Sequence, residues 1–79
     1  MRVPRYFFHV QDGSDFVDGD GTEFSGVEEA RTQSVRAAGE ALRDHASKFW
    51  YTGEWFMNVV DESGANVCCL RFSAEHPRD

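Results

Sequence analysis

The sequence predicts an α+β domain: a four-stranded antiparallel sheet with one helix packed on one face, in the order ββαββ. Three observations point there. Residues 5–10, 54–61 and 66–72 alternate with the period of two that half-buried strands show. Residues 27–49 instead repeat apolar and small side chains at the helical period. Asp-Gly and Ser-Gly punctuation on both sides of that stretch favours two hairpins, and hence antiparallel neighbours.

The first strand is Arg5–Val10, with Tyr6, Phe8 and Val10 pointing one way and Phe7 and His9 the other. Pro4 stands at its start, where a missing N–H costs the ladder least. Asp-Gly then recurs at 12–13, 18–19 and 20–21, and each pair is a turn signal. The first closes a hairpin. Phe16-Val17 becomes the middle of a short, irregular second strand, with a bulge or break near Gly19 and Gly21. At about 100° per residue, Val27, Ala30, Ser34, Val35, Ala38, Ala41, Leu42, His45 and Phe49 form one helix stripe. Ser25 and Glu28 have the spacing of a capping box. The stripe is mostly Ala and Ser, so aromatic strands can approach it closely; Ala38 and Ala41 are expected against Trp55, Phe8 or Leu70. Tyr51-Thr52-Gly53 ends the helical segment. The third strand is Glu54–Asp61, Glu62–Ala65 is a turn, and the last strand is Asn66–Phe72. Residues 74–79 form a polar tail expected to fray.

The most apolar side of each strand should meet the helix: Tyr6, Phe8, Val10, Trp55, Met57, Val59, Cys68, Leu70 and Phe72. That leaves Phe7, His9, Phe56, Asn58, Val60, Val67, Cys69 and Arg71 on the far face. A wet sheet face normally alternates to polar residues. Five of these eight are apolar, so Phe7, Phe56, Val60 and Val67 are candidate docking residues, for a partner or for a second copy. Pairing through an edge strand is the competing geometry for a homodimer.

Composition narrows the function classes. A chain of 79 residues holds one core, so residues 1–79 are read as a single domain. Eight basic and fourteen acidic residues give a net charge of −6. That opposes direct binding to nucleic acid or to an anionic membrane, and it suits a protein partner with a basic surface. No apolar run approaches the roughly 18 residues of a membrane span, and the first residues, Met1 to Arg5, turn polar too quickly for a signal peptide. With Cys68 and Cys69 adjacent and no disulfide framework, a cytoplasmic protein with reduced thiols is expected.

The opening P-R-Y-F-F-H-V-Q-D-G at Pro4–Gly13 resembles a family of small alphaproteobacterial proteins of unassigned function. Further matching residues are Asp18, Gly21, Glu23, the helix with Ala30 and Arg31, then Trp55, Val59, Asp61, Glu62, Gly64 and Phe72-Ser73. The resemblance spans nearly the whole chain and implies one ββαββ domain. It implies no activity. The aromatic segment around Phe49, Trp50 and Tyr51 departs from the family pattern.

No catalytic or metal motif stands out. A calcium loop starting at Asp18 would place Asp20 and Glu29 correctly, but Thr22 falls at position five and Glu23 where glycine is required. His9, His45 and His76 lack ligand spacing, and His45 fits a half-buried place in the helix stripe. His9 and Cys69 share the far face and could be imagined as a pair, but no orienting third group accompanies them. Cys68 and Cys69 fit buried small hydrophobes. Phe49, Trp50, Tyr51, Trp55 and Phe56 fit core packing or an interface; a base-stacking platform would need a positive groove, and only Lys48 lies there.

The strongest functional feature is the acidic run Asp12, Asp15, Asp18, Asp20, Glu23, Glu28 and Glu29, half of all the acids, with no Lys or Arg between Gln11 and Ala30. Glu28 and Glu29 suit a helix N-terminus, and Asp12 and Asp18 suit their turns. Asp15, Asp20 and Glu23 have the weakest structural reason and are the candidates for partner contact. The expectation is a non-enzymatic binding protein without cofactor or metal. It would occupy a partner's surface, in the manner of small phage-encoded inhibitors such as anti-CRISPR proteins that block a basic nucleic-acid site. The alternative is a small-molecule-binding or enzymatic domain.

Overall fold

A computed structural model describes residues 3–77. Its elements are β1 Arg5–Gln11, β2 Asp15–Phe16, β3 Thr22–Glu23, α1 Val27–Asp44, α2 Ala46–Thr52, β4 Glu54–Asp61 and β5 Asn66–Ser73. The strands form one antiparallel sheet in the order β2–β1–β4–β5, with β3 also on the outer side of β1. The α+β class and the ββαββ order hold, with two expected elements each divided in two. No helix among the described residues is long and apolar enough to cross a membrane.

The predicted helix-facing set forms the core except for Phe72, which lies near the end of the last strand and is exposed, its ring edge-on to Trp55. Tyr6, Trp55, Met57 and Val59 are buried with Ala30 and Ala38, and Phe8, Val10, Cys68 and Leu70 pack around them. The small residues of α1 let it settle over β4 and β5. It does not reach across β1, whose inner face is covered by Phe24. That ring stacks on Phe8 at 5.9 Å and tilts against Tyr6 at 6.1 Å. Buried Ser34 donates its hydroxyl to the Arg31 carbonyl at 2.6 Å, which satisfies, within its own helix, the one buried polar side chain among the described residues.

The expected single helix Val27–Phe49 breaks at His45. Length explains the break. A straight helix from Val27 to Thr52 would run about 39 Å, against about 27 Å for the eight-residue β4 beneath it. α2 turns the chain back and ends at Gly53, which has φ 69° and donates its N–H to the Phe49 carbonyl at 2.8 Å. The new direction keeps Phe49 against the core but leaves Trp50 and Tyr51 exposed. His45, expected half-buried, is exposed at the break, and Val35, expected in the stripe, is 58% exposed. The helix start also differs. Gly26, not Ser25, is the N-cap, and Glu29 rather than Glu28 reaches back, accepting the Ser25 N–H at 2.7 Å.

Val67 was expected on the far face. A bulge after Val59 pairs Val60 with Asn66 and leaves Val67 as the extra residue, turned to pack with the core. The tail is tied down at its start. Ala74 donates its N–H to the Gly53 carbonyl at 2.9 Å, and the His76 ring lies 5.2 Å from that of Trp50. The rest of the expected fraying, at residues 78–79, lies outside the described residues, as do residues 1–2.

Candidate functional site

The acidic run from Asp12 to Glu23 folds along one edge of the sheet, with Asp18 as its keystone, while Glu28 and Glu29 fall in the first turn of α1. β2 pairs only with the end of β1 (Val10, Gln11), and β3 only with its start (Arg5, Tyr6). The middle of β1 therefore has no strand on its outer side. The Asp18 side chain stands in that gap. Its Oδ2 accepts the Phe8 N–H at 3.2 Å, and its Oδ1 accepts those of Gly21 at 3.0 Å and Asp20 at 3.2 Å. The Asp18 N–H in turn donates to His9 Nδ1 at 3.1 Å. One carboxylate thus replaces a strand and shapes the following turn. Burial pushes its pKa up, but the three backbone N–H groups outweigh that and hold it below the ordinary 3.8.

Arg5 fastens the other end of this edge. Its Nη1 donates to the Asp20 carbonyl at 2.9 Å, and its Nη2 lies 3.8 Å from Glu23 Oε1. Gly21 is needed between them. It has φ 70°, and a Cβ there would lie 2.7 Å from the Phe7 ring. Of the three acids proposed for partner contact, Glu23 therefore has a structural reason: it sits on β3 opposite Arg5. Asp15 and Asp20 are exposed, and neither carboxylate has a hydrogen bond or ion pair among the described residues. Asp12 is exposed beside them, its carboxylate accepting the Ser14 hydroxyl at 3.4 Å.

Sequence reasoning missed the apolar content of this edge. Phe16 and Val17 are 61% and 71% exposed, between Asp15 and Asp18. A strand of two residues has no interior in which to hide them. Their position among three Asp-Gly turns was the available signal.

The far face is less open than its composition implied. Phe7 lies over Gly21 and stacks with His9, ring centroids 6.5 Å apart. The Arg71 guanidinium covers the Phe56 ring at 5.0 Å. Phe7, Phe56 and Val60 are each half-buried on this face, and Val67 is absent from it. His9, Asn58 and Cys69 form one row across three strands. Asn58 therefore stands between the other two, which are about two strand spacings, or roughly 10 Å, apart. That is beyond proton-transfer reach, so they form no dyad. No group of three or more His, Cys, Asp or Glu among the described residues is placed to hold a metal. A hollow of 330 Å³ opens between the Asp12–Ser14 turn and α2, bordered by Leu42, His45, Phe49 and Trp55.

Comparison with known proteins finds no significant match to a curated protein or to a solved structure. Residues 5–73, most of the chain and the same run that carries the fold, match the family described as Domain of unknown function (DUF6894), and the protein belongs to that family.

Proposed function

We propose that this domain is a binding protein that seats its β2–β3 edge on a basic surface of a partner protein. The juxtaposition of exposed Phe16 and Val17 with the exposed carboxylates of Asp12, Asp15 and Asp20 supports this most directly. Apolar side chains at the centre and charge at the rim make the usual anatomy of a docking surface. The carboxylates steer a basic partner and set register, while the apolar pair supplies contact area. In its specific form the proposal is inhibition. A bacterial or phage protein of net charge −6, working in the cytoplasm with its thiols reduced, covers a basic site otherwise used by nucleic acid. In size and charge this is the manner of anti-CRISPR proteins.

The test is capture of partners from a bacterial lysate on the immobilised chain, at low and at high salt. Asp12→Lys with Asp15→Lys and Asp20→Lys is one comparison; Phe16→Ser is the other. Glu23 is left alone because it pairs with Arg5 across β1 and β3. A partner with a basic face, released by salt and lost by both variants, is the expected result. Equal capture by parent and charge-swapped chain would overturn the proposal.

A further inference from the structure

The two edges of the sheet are finished differently. At one, β2, β3 and Asp18 leave little of β1 bare. At the other, β5 runs for eight residues with a pairing partner on one side only. It contains no Pro, no Lys and no acid, and Arg71 is its one charge. Such an edge presents unpaired N–H and C=O groups to a further strand.

We infer that β5 pairs antiparallel with β5 of a second copy, making one continuous sheet with the two α1 helices side by side on it. The choice of a second copy, rather than a lone extended peptide, rests on the helix layer. Arg31 of α1 reaches the Val67 carbonyl at 3.5 Å, and Ser34 lies 3.8 Å from Cys68 Sγ, so this side of α1 stands over β5. Val35, one turn beyond Arg31, lies on the same side and is 58% exposed, and Phe72 near the end of β5 is 44% exposed. A peptide added to the edge would bring no helix to cover Val35. A second copy would bring its own α1.

The spacing fits. α1 lies over the β4–β5 pair. A two-fold partner places its own α1 two strand spacings away, about 10 Å, which is the interaxial distance of packed helices. Charge fits as well. Asp12, Asp15, Asp18, Asp20 and Glu23 lie at the opposite edge, so two copies joined at β5 keep these carboxylates at the outer ends of the shared sheet. The dimer is independent of the acidic-edge proposal and would display that edge twice.

Sedimentation velocity of the full chain over a wide concentration range, with hydrogen exchange at β5, tests this. The expected result is a dimer whose β5 amides gain protection as it forms. Val35→Glu, at an exposed helix position, puts two like charges at the joint and should weaken association by about a hundredfold or more. Its fold is checked by circular dichroism, and Cys69→Lys on the strand itself is the second variant should the first fail to fold. Phe16→Ser, at the other edge, should leave the dimer intact. A monomer at millimolar concentration overturns the inference. So does a dimer that survives both Val35→Glu and Cys69→Lys but is lost in Phe56→Lys, because the far face would then be the joint.

Discussion

Removing the Asp18 carboxylate should unfasten the closed edge. Asp18→Ala deprives three backbone N–H groups of their acceptor. The Asp20 N–H is exposed and can turn to water. Those of Phe8 and Gly21 are partly buried, so losing their charged acceptor should cost about 2–3 kcal/mol together. At about 0.05–0.15 kcal/mol per residue, a chain of this size has only about 4–12 kcal/mol in all. The melting temperature should therefore fall by about 10–20 °C, read by circular dichroism and by the fluorescence of buried Trp55. Asp18→Asn keeps one acceptor oxygen and should lose less. The pH dependence follows from the lowered pKa. Its folded value lies below its unfolded one, so the stabilisation is complete above about pH 4 and is lost as pH falls through the folded value. The gap between parent and Asp18→Asn should accordingly narrow in acid. An Asp18→Ala chain within about 0.5 kcal/mol of the parent, or a gap that widens in acid, would refute the keystone role.

Two further substitutions test the packing. Ala38→Leu, at a position with no exposed surface beneath α1, should overpack the helix–sheet contact and cost about 1–3 kcal/mol by urea unfolding; a neutral result would place Ala38 away from the seam. Gly21→Ala should cost about 2 kcal/mol, from the left-handed backbone and from the displaced Phe7 ring; an unchanged melting temperature would show that the turn adapts freely.

Strands β1, β4 and β5 were legible because their own side chains alternate. Burial on one face decides such strands locally, and Trp55, Met57 and Val59 point where their spacing says. The failures come where distant geometry decides. The stripe through His45 to Phe49 is continuous in sequence, but the sheet beneath is too short for a helix of that length. Val67 keeps the parity of a far-face residue, yet one bulge reverses it. Asp18 looked like an ordinary Asp-Gly turn. Its larger role depends on a gap in the ladder ten residues away in sequence, which no local pattern records. Glu23 was misjudged for the same reason, because Arg5 meets it only through the β1–β3 pairing.

Closing the edge and exposing Phe16 follow from one arrangement. A full second strand beside β1 would have bonded Phe8 through the backbone and needed no carboxylate. It would also have given Phe16 and Val17 a regular register, and one of the two an inward place over the core. Splitting that strand at Gly19 and Gly21 puts Asp18 in the ladder and pushes both apolar residues outward, beside the exposed carboxylates of Asp12, Asp15 and Asp20. Stability alone favours the unbroken strand, since a full ladder covers more apolar surface than one side chain can. The broken form makes sense if the outward pair has something to meet. That is why the β2–β3 edge, rather than the half-covered far face, is the first place to look for a partner.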